Sequence, residues 1–134
     1  MKHTKAPPAK VMDYYMHPEN LPKVHPDFFK EAKVLSTEGN SLVVEETMEM
    51  MGRKLHAKNR MTRIDAEKRV EVDTLEGDGK GSKITIALKE IPTGTEIHYF
   101  AEMEFGAVGF LIKGRAKASF EKTAEEDRVA LDAS

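Results

Sequence analysis

Between Ala32 and Phe105 apolar and polar residues alternate with a period of two, and the alternation breaks at short clusters carrying Gly, Asn, Asp or Pro. Alternation of this kind marks strands that bury one face. It predicts strands over 32–38, 42–50, 54–64, 68–76, 82–91 and 95–105. The separators are Glu38-Gly39-Asn40-Ser41, Met51-Gly52-Arg53, Asp65-Ala66-Glu67, Gly77-Asp78-Gly79-Lys80-Gly81 and Pro92-Thr93-Gly94. They supply the residues that accept positive φ or fix φ in tight turns. Connections this short join antiparallel neighbours, so the strands are expected to form a meander.

The same parity assigns the faces. Leu42, Val44 and Met48, Leu55, Ala57 and Met61, Val70 and Val72, Ile84 and Ile86, and Ile97, Tyr99, Met103 and Phe105 share the core side. Glu45, Glu49, Lys54, Lys58, Arg60, Glu71 and Asp73 lie opposite, where acidic strands flank a basic one and cross-strand charge pairs on a solvated surface are expected.

Helical periods bracket the strands. Pro7 or Pro8 suits a first helical turn, where a missing N–H has no partner to lose. Val11, Met12, Tyr15 and Met16 then recur at helical spacing until His17-Pro18 stops the helix. A second short turn over Glu19 to Lys23 is limited by Pro22 and Pro26, and the two pieces form a lid or clasp. After Phe105 the flexible joint Gly106-Ala107-Val108-Gly109 leads into a helix running to about Leu131. Ile112, Ala116 and Phe120 make an i+4 stripe toward the sheet, and the small Gly114, Ala116 and Ser119 leave space above it. Beyond Thr123 the acidic tail is expected to fray.

Composition narrows the functions. A chain of 134 residues supports one core, so residues 1–134 are read as one domain. With 21 basic and 23 acidic residues the net charge is −2, which provides no footprint for nucleic acid and no polybasic membrane anchor. Cysteine is absent, which removes disulfides, thiol catalysis and thiolate metal sites. No apolar run reaches the roughly 20 residues of an integral membrane segment. Met1 to Pro8 lack the apolar core of a signal peptide, and a cytoplasmic location is expected.

Ala9-Lys10-Val11-Met12-Asp13-Tyr14 leads to Pro18-Glu19-Asn20-Leu21-Pro22-Lys23-Val24-His25-Pro26, followed by the strands, the glycine joint and a last helix. This order resembles the polyketide cyclase/dehydrase-like (SRPBCC) branch of the START/Bet v 1 superfamily along nearly the whole chain. The resemblance implies an α+β helix-grip fold: a curved antiparallel sheet, two short N-terminal helices, and a long C-terminal helix enclosing a hydrophobic cavity. Members also carry an opening strand, for which Met1 to Lys5 provide only a short segment. Because the superfamily contains carriers, cyclases, hydratases, quinone-binding proteins and regulatory modules, it implies a pocket more firmly than a reaction.

Polar residues with inward parity are the candidates for chemistry, since an unpaired buried polar group costs about 1–3 kcal/mol. Glu46, Asn59, Arg63, Thr74 and Tyr99 meet that criterion. Glu46 suits an acid or base, Arg63 a clamp for a carboxylate or enolate oxygen, and Tyr99 a proton donor. Pairing of Glu46 with Arg63 at the sheet rim is the structural alternative. The expected ligand surface comprises Met48, Asn59, Met61, Thr74, Ile86, Tyr99 and Met103 on the sheet, with Ile112, Ala116 and Phe120 on the helix. The methionines serve equally as adaptable cavity walls or as core filling.

His17 and His25 read as connector residues rather than metal ligands, and His56 and His98 as solvated. No metal and no cofactor is expected. Gly77-Asp78-Gly79-Lys80-Gly81-Ser82-Lys83 lacks the Gly-Lys-Ser/Thr ending of a phosphate loop and reads as a hairpin loop.

Binding of a hydrophobic or amphipathic small molecule is therefore the first expectation, with entry near the short helices and the glycine joint. A cyclase/dehydratase-like enzyme using Glu46, Arg63 and Tyr99 is the second, and a regulatory or quinone-handling interaction module the third. The sequence is compatible with a homodimer but sets no oligomeric state.

Overall fold

The computed structural model describes residues 2–50, 52–102 and 109–133, and for residues 50 and 109–120 the backbone alone. The elements run β1 (Lys2–Thr4), α1 (Pro8–Tyr15), a 3-10 turn (Pro18–Asn20), α2 (Leu21–Val24), β2 (Phe29–Glu38), β3 (Ser41–Met50) and β4 (Arg53–Ile64). A second 3-10 turn (Asp65–Glu67), β5 (Arg69–Gly77), β6 (Lys83–Ile91), β7 (Gly94–Glu102) and α3 (Gly109–Ala133) complete the order.

The strands form one antiparallel sheet in the order β1-β7-β6-β5-β4-β3-β2. From β2 to β7 it is the expected meander, and β1 closes onto β7 through Lys2 opposite Ile97 and Thr4 opposite Thr95. Among the described residues that opening strand is three residues long. Gly94 makes the fit possible: its φ is +141° and a Cβ there would meet the Thr4 carbonyl oxygen at 2.0 Å.

Strand β2 begins three residues before the expected start at Ala32. A register shift between Phe29 and Glu31 breaks the alternation there, hiding the first turn of the strand from a period of two. Further register shifts fall between Val34 and Ser36 and beside Asn59, and between these breaks the parity holds. Val44, Val70, Ile86 and Ile97 are fully or nearly fully buried on the inner face, joined by Leu42, Ala57, Met61 and Leu88. On the outer face the register sets Glu45 opposite Lys58, Glu49 opposite Lys54 and Arg60 opposite Asp73.

Helix α1 starts as its prolines dictate, with Pro7 extended before the first turn, Pro8 within it, and the Val11 N–H donating to the Pro7 carbonyl at 3.1 Å. Val11 and Met12 turn into the core, and Met16 ends the helix by donating its N–H to Met12. Helix α3 does not fray beyond Thr123. It continues to Ala133, with Ala124, Asp127 and Leu131 buried along one side. Its end is held to β1: Thr4 Oγ1 donates to Asp132 Oδ1 at 2.6 Å, the Lys5 N–H reaches the same oxygen, and Lys2 pairs with Glu125 at 3.0 Å. These anchors come from the opposite chain end, which is why the local composition of the tail concealed them.

Among the described residues no helix is long and apolar enough to cross a membrane. Met103, Phe105 and most of the glycine joint lie outside the described residues, as do the side chains of Ile112, Ala116 and Phe120.

Candidate functional site

Across β3, β4 and β5 a diagonal of polar residues crosses the apolar inner face of the sheet. Glu46 stands opposite Ala57, and Asn59 stands between Val44 on β3 and Thr74 on β5. Glu46 and Asn59 are each only 6% exposed. The Asn59 Nδ2 donates to Glu46 Oε2 at 3.0 Å, and no described residue gives the carboxyl a second hydrogen bond. The Asn59 Oδ1 is buried without any partner among the described residues. Burial pushes the Glu46 carboxyl up to about 7, and the Asn59 hydrogen bond offsets only part of that effect. A carboxyl that is half-protonated near neutrality, without a cation beside it among the described residues, can donate or accept a proton on an apolar wall.

A bulge positions this diagonal. Lys58 pairs with Glu76 whereas Asn59 pairs with Thr74, so Leu75 is the extra residue on β5. The irregularity falls beside Asn59 without turning Asn59 or Thr74 off the inner face, and the bend it introduces curves the sheet around them. Coverage also changes across the face. Met48, Leu55, Val72, Thr74 and Ile84 are only part-buried, whereas Val70, Ile86 and Ile97 near α1 are closed off.

A second polar cluster fastens the closed end. Tyr14 donates to Asp127 Oδ1 at 2.5 Å, and Tyr15 reaches Asp127 Oδ2 at 3.2 Å. The hydroxyls of Tyr15 and Tyr99 lie 2.5 Å apart. His25, 1% exposed, sets Nε2 at 2.8 Å from Asp127 Oδ1 and Nδ1 at 3.1 Å from Glu126 Oε1. Both ring nitrogens thus face carboxylates, an arrangement that only the doubly protonated imidazolium satisfies by donating twice. Burial works to lower the His25 proton affinity, but Asp127 and Glu126 together outweigh it and hold the group above its ordinary value. Burial and the nearby Asp127 charge push the Tyr14 and Tyr15 hydroxyls up, and burial does the same to Tyr99, so all three stay protonated as donors. The cluster ties α1, the connector after α2, β7 and α3 into one clasp.

The sequence-based candidates are therefore divided between two places. Glu46 is not at the solvent rim and does not pair with Arg63. Arg63 instead bonds Asp13 on α1 and Asp65 beyond β4, the latter at 2.7 Å, and so helps hold the helix over the sheet. Tyr99 belongs to the clasp. Strands β4, β5 and β6 separate it from Glu46, about 19 Å of sheet at roughly 4.8 Å per strand. Asn59 and Thr74 accompany Glu46, flanked by Met48 and Met61, and Ile86 lies on the buried floor next to Tyr99.

Sequence reasoning missed His25, Asp127 and Tyr14. Asp127 carried a usable signal: it falls three residues after Ala124 and four before Leu131, on the buried side of α3. Among the described residues the exposed large hydrophobics are Val34 and Leu35 on the edge strand β2, Phe100 on β7 and Val129 on α3.

Comparison with known proteins agrees with this architecture. The protein TTHA0849 of Thermus thermophilus superposes with a TM-score of 0.78 at 19% identity, covering 98% of this chain and 91% of that one. A START superfamily protein from Mycobacterium smegmatis gives 0.76 at 14% identity, covering 97% and 92%. The Zhui aromatase/cyclase from Streptomyces sp. R1128 gives 0.74 at 12% identity, covering 97% and 87%. At these identities the likeness establishes the fold, the helix grip of the START/Bet v 1 superfamily. No curated protein sequence matches the chain. Residues 2–128 match the family described as polyketide cyclase / dehydrase and lipid transport, and the chain belongs to that family.

Proposed function

We propose that the chain binds a hydrophobic or amphipathic small molecule against the inner face of its sheet, between β3–β6 and α3. The observation that carries this reading is the uneven covering of one apolar surface. Val70, Ile86 and Ile97 are sealed in one core cluster with Val11 and Met12 of α1, while Met48, Leu55, Val72 and Ile84, equally apolar and on the same face, remain part-exposed around a buried polar pair. A concave apolar wall with a few convergent polar groups is the usual chemistry of a small-molecule site. Methionines at 48 and 61 supply side chains that adapt to differing shapes.

Titration with the neutral lipophilic dye N-phenyl-1-naphthylamine tests the reading. Saturable one-to-one binding is expected, weakened at least tenfold by Thr74→Trp, which projects an indole over the same wall, with the far-ultraviolet circular dichroism retained. Absence of saturable binding, or equal affinity in the variant, would reject this surface as the site.

Glu46 favours a second reading, catalysis of the aromatase/cyclase kind on a ligand held in the same place. Its near-neutral carboxyl sits on the wall where a bound molecule would lie, and a general acid–base group works best when its pKa matches the operating pH. Arg63 and Tyr99 do not accompany it, so Glu46 with Asn59 and Thr74 would form the catalytic group. Dehydration of a poly-β-ketone followed by mass spectrometry, present in the wild type and lost in Glu46→Gln, is the expected outcome under this reading. Unchanged turnover in the variant would remove it.

A further inference from the structure

We propose that Glu46 and Asn59 form a selective anchor for a neutral ligand bearing a hydroxyl group at its buried end. The inference rests on the ligand-binding reading above and specifies the chemistry that the wall accepts. Its starting point is the incomplete hydrogen bonding of the pair. Asn59 gives its Nδ2 hydrogen to Glu46 Oε2 at 3.0 Å, its Oδ1 is buried without a donor among the described residues, and the other Glu46 oxygen receives no bond from them either.

One group completes all of these valences. A ligand hydroxyl donates its hydrogen to Asn59 Oδ1, and its oxygen accepts the proton of the neutral Glu46 carboxyl in a hydrogen bond. With the existing Asn59-to-Glu46 bond this closes a ring of three bonds in which no proton is transferred and no charge is created. An ether or ketone at the same place accepts from Glu46 but leaves Asn59 Oδ1 unpaired. A carboxylate brings an anion against a carboxyl with no cation beside it among the described residues, Arg63 being committed to Asp13 and Asp65. Thr74, opposite Asn59 across the bulge at Leu75, is part-buried, whereas Asn59 and Glu46 are buried.

Proton state refines the prediction. Burial holds the Glu46 carboxyl largely neutral at pH 6, and by pH 9 it is ionised and has no proton to give. Among the described residues Glu46 hydrogen-bonds Asn59 of β4 and stands opposite Ala57 on β4 and Ala32 on β2, none of them titratable. A phenol stays largely neutral over the same interval. Both a phenol and an ether lose the Glu46 donor as the pH rises, but only the phenol can still donate, to Asn59 Oδ1 or to the carboxylate, so the affinity of the ether should fall while the phenol's advantage persists.

Affinities of 2-naphthol, 2-methoxynaphthalene and 2-naphthoate for the full chain test the anchor. At pH 6 the naphthol is expected to bind at least tenfold more tightly than the methoxy ether, with the naphthoate weakest. The affinity of the ether should fall severalfold by pH 9 and become independent of pH in Glu46→Gln, whose amide still donates, whereas the preference for the naphthol should persist to pH 9 in the wild type and vanish at pH 6 in Asn59→Leu. Equal binding of naphthol and ether by the wild type overturns the anchor but leaves the ligand-binding surface intact. If none of the three probes, nor the lipophilic dye, binds, the surface itself is refuted.

Discussion

Asp127→Ala is expected to destabilise the fold by about 3–5 kcal/mol, the cost of leaving the partners of a buried charge without it. One carboxylate accepts from Tyr14, Tyr15 and His25, so its loss strands three donors from two segments in a clasp with little access to water. For a chain of this length the melting temperature should fall by about 10–15 °C. The loss should also vary with pH. His25 is held above its unfolded value, so its contribution is complete below about pH 6.5 and disappears as the pH rises through the folded value. Urea unfolding of wild type and variant from pH 5.5 to 9 should thus show the largest gap at the acid end. A gap below about 1 kcal/mol, or one that widens toward pH 9, would mean that the cluster does not hold the clasp.

Glu46→Gln is expected to act in the opposite direction and to stabilise the protein at alkaline pH. Below about pH 4.5 the carboxyl is protonated in both folded and unfolded chains, and glutamine offers no advantage. Between there and the folded value of about 7 the unfolded chain releases its proton and the folded chain keeps it, so wild-type stability falls as the pH rises. At about 1.36 kcal/mol per pH unit the cost reaches about 3 kcal/mol by pH 8 and then levels off. Urea midpoints that agree at pH 4 and diverge in favour of the variant by pH 8 are the expected result. A difference that stays constant over that range would place Glu46 in contact with water. A native sequence that retains such a costly carboxyl is consistent with a use for it other than stability.

The inner face was legible because the period of two survives wherever a strand buries one side, and Val44, Ala57, Asn59, Met61 and Val70 all follow it. The buried Glu46 and Asn59 were legible for the same reason: polar side chains at core parity are conspicuous. Their pairing with each other was not, because it depends on the β3–β4 register, which places them on adjacent rungs, and on Arg63 being drawn away by Asp13 across 50 residues of sequence. The clasp was hidden more deeply. It assembles positions 14, 15, 25, 99, 126 and 127, and hydrogen bonds such as His25 to Asp127 span 102 residues, so no local pattern announces them. Helix α3 was underestimated on the same ground. Its weak stripe near the tail includes Asp127, which faces inward because tyrosines and a histidine from the other end of the chain satisfy it.

Methyl-resolved nuclear magnetic resonance during titration with N-phenyl-1-naphthylamine tests the central claim most directly, since it locates the ligand as well as detecting it. Saturable shifts should concentrate on Met48, Met61, Val72, Thr74 and Ile84 of the inner face. Shifts confined to outward residues such as Val43 and Thr85, or to the exposed Val34 and Leu35 of β2, would contradict it.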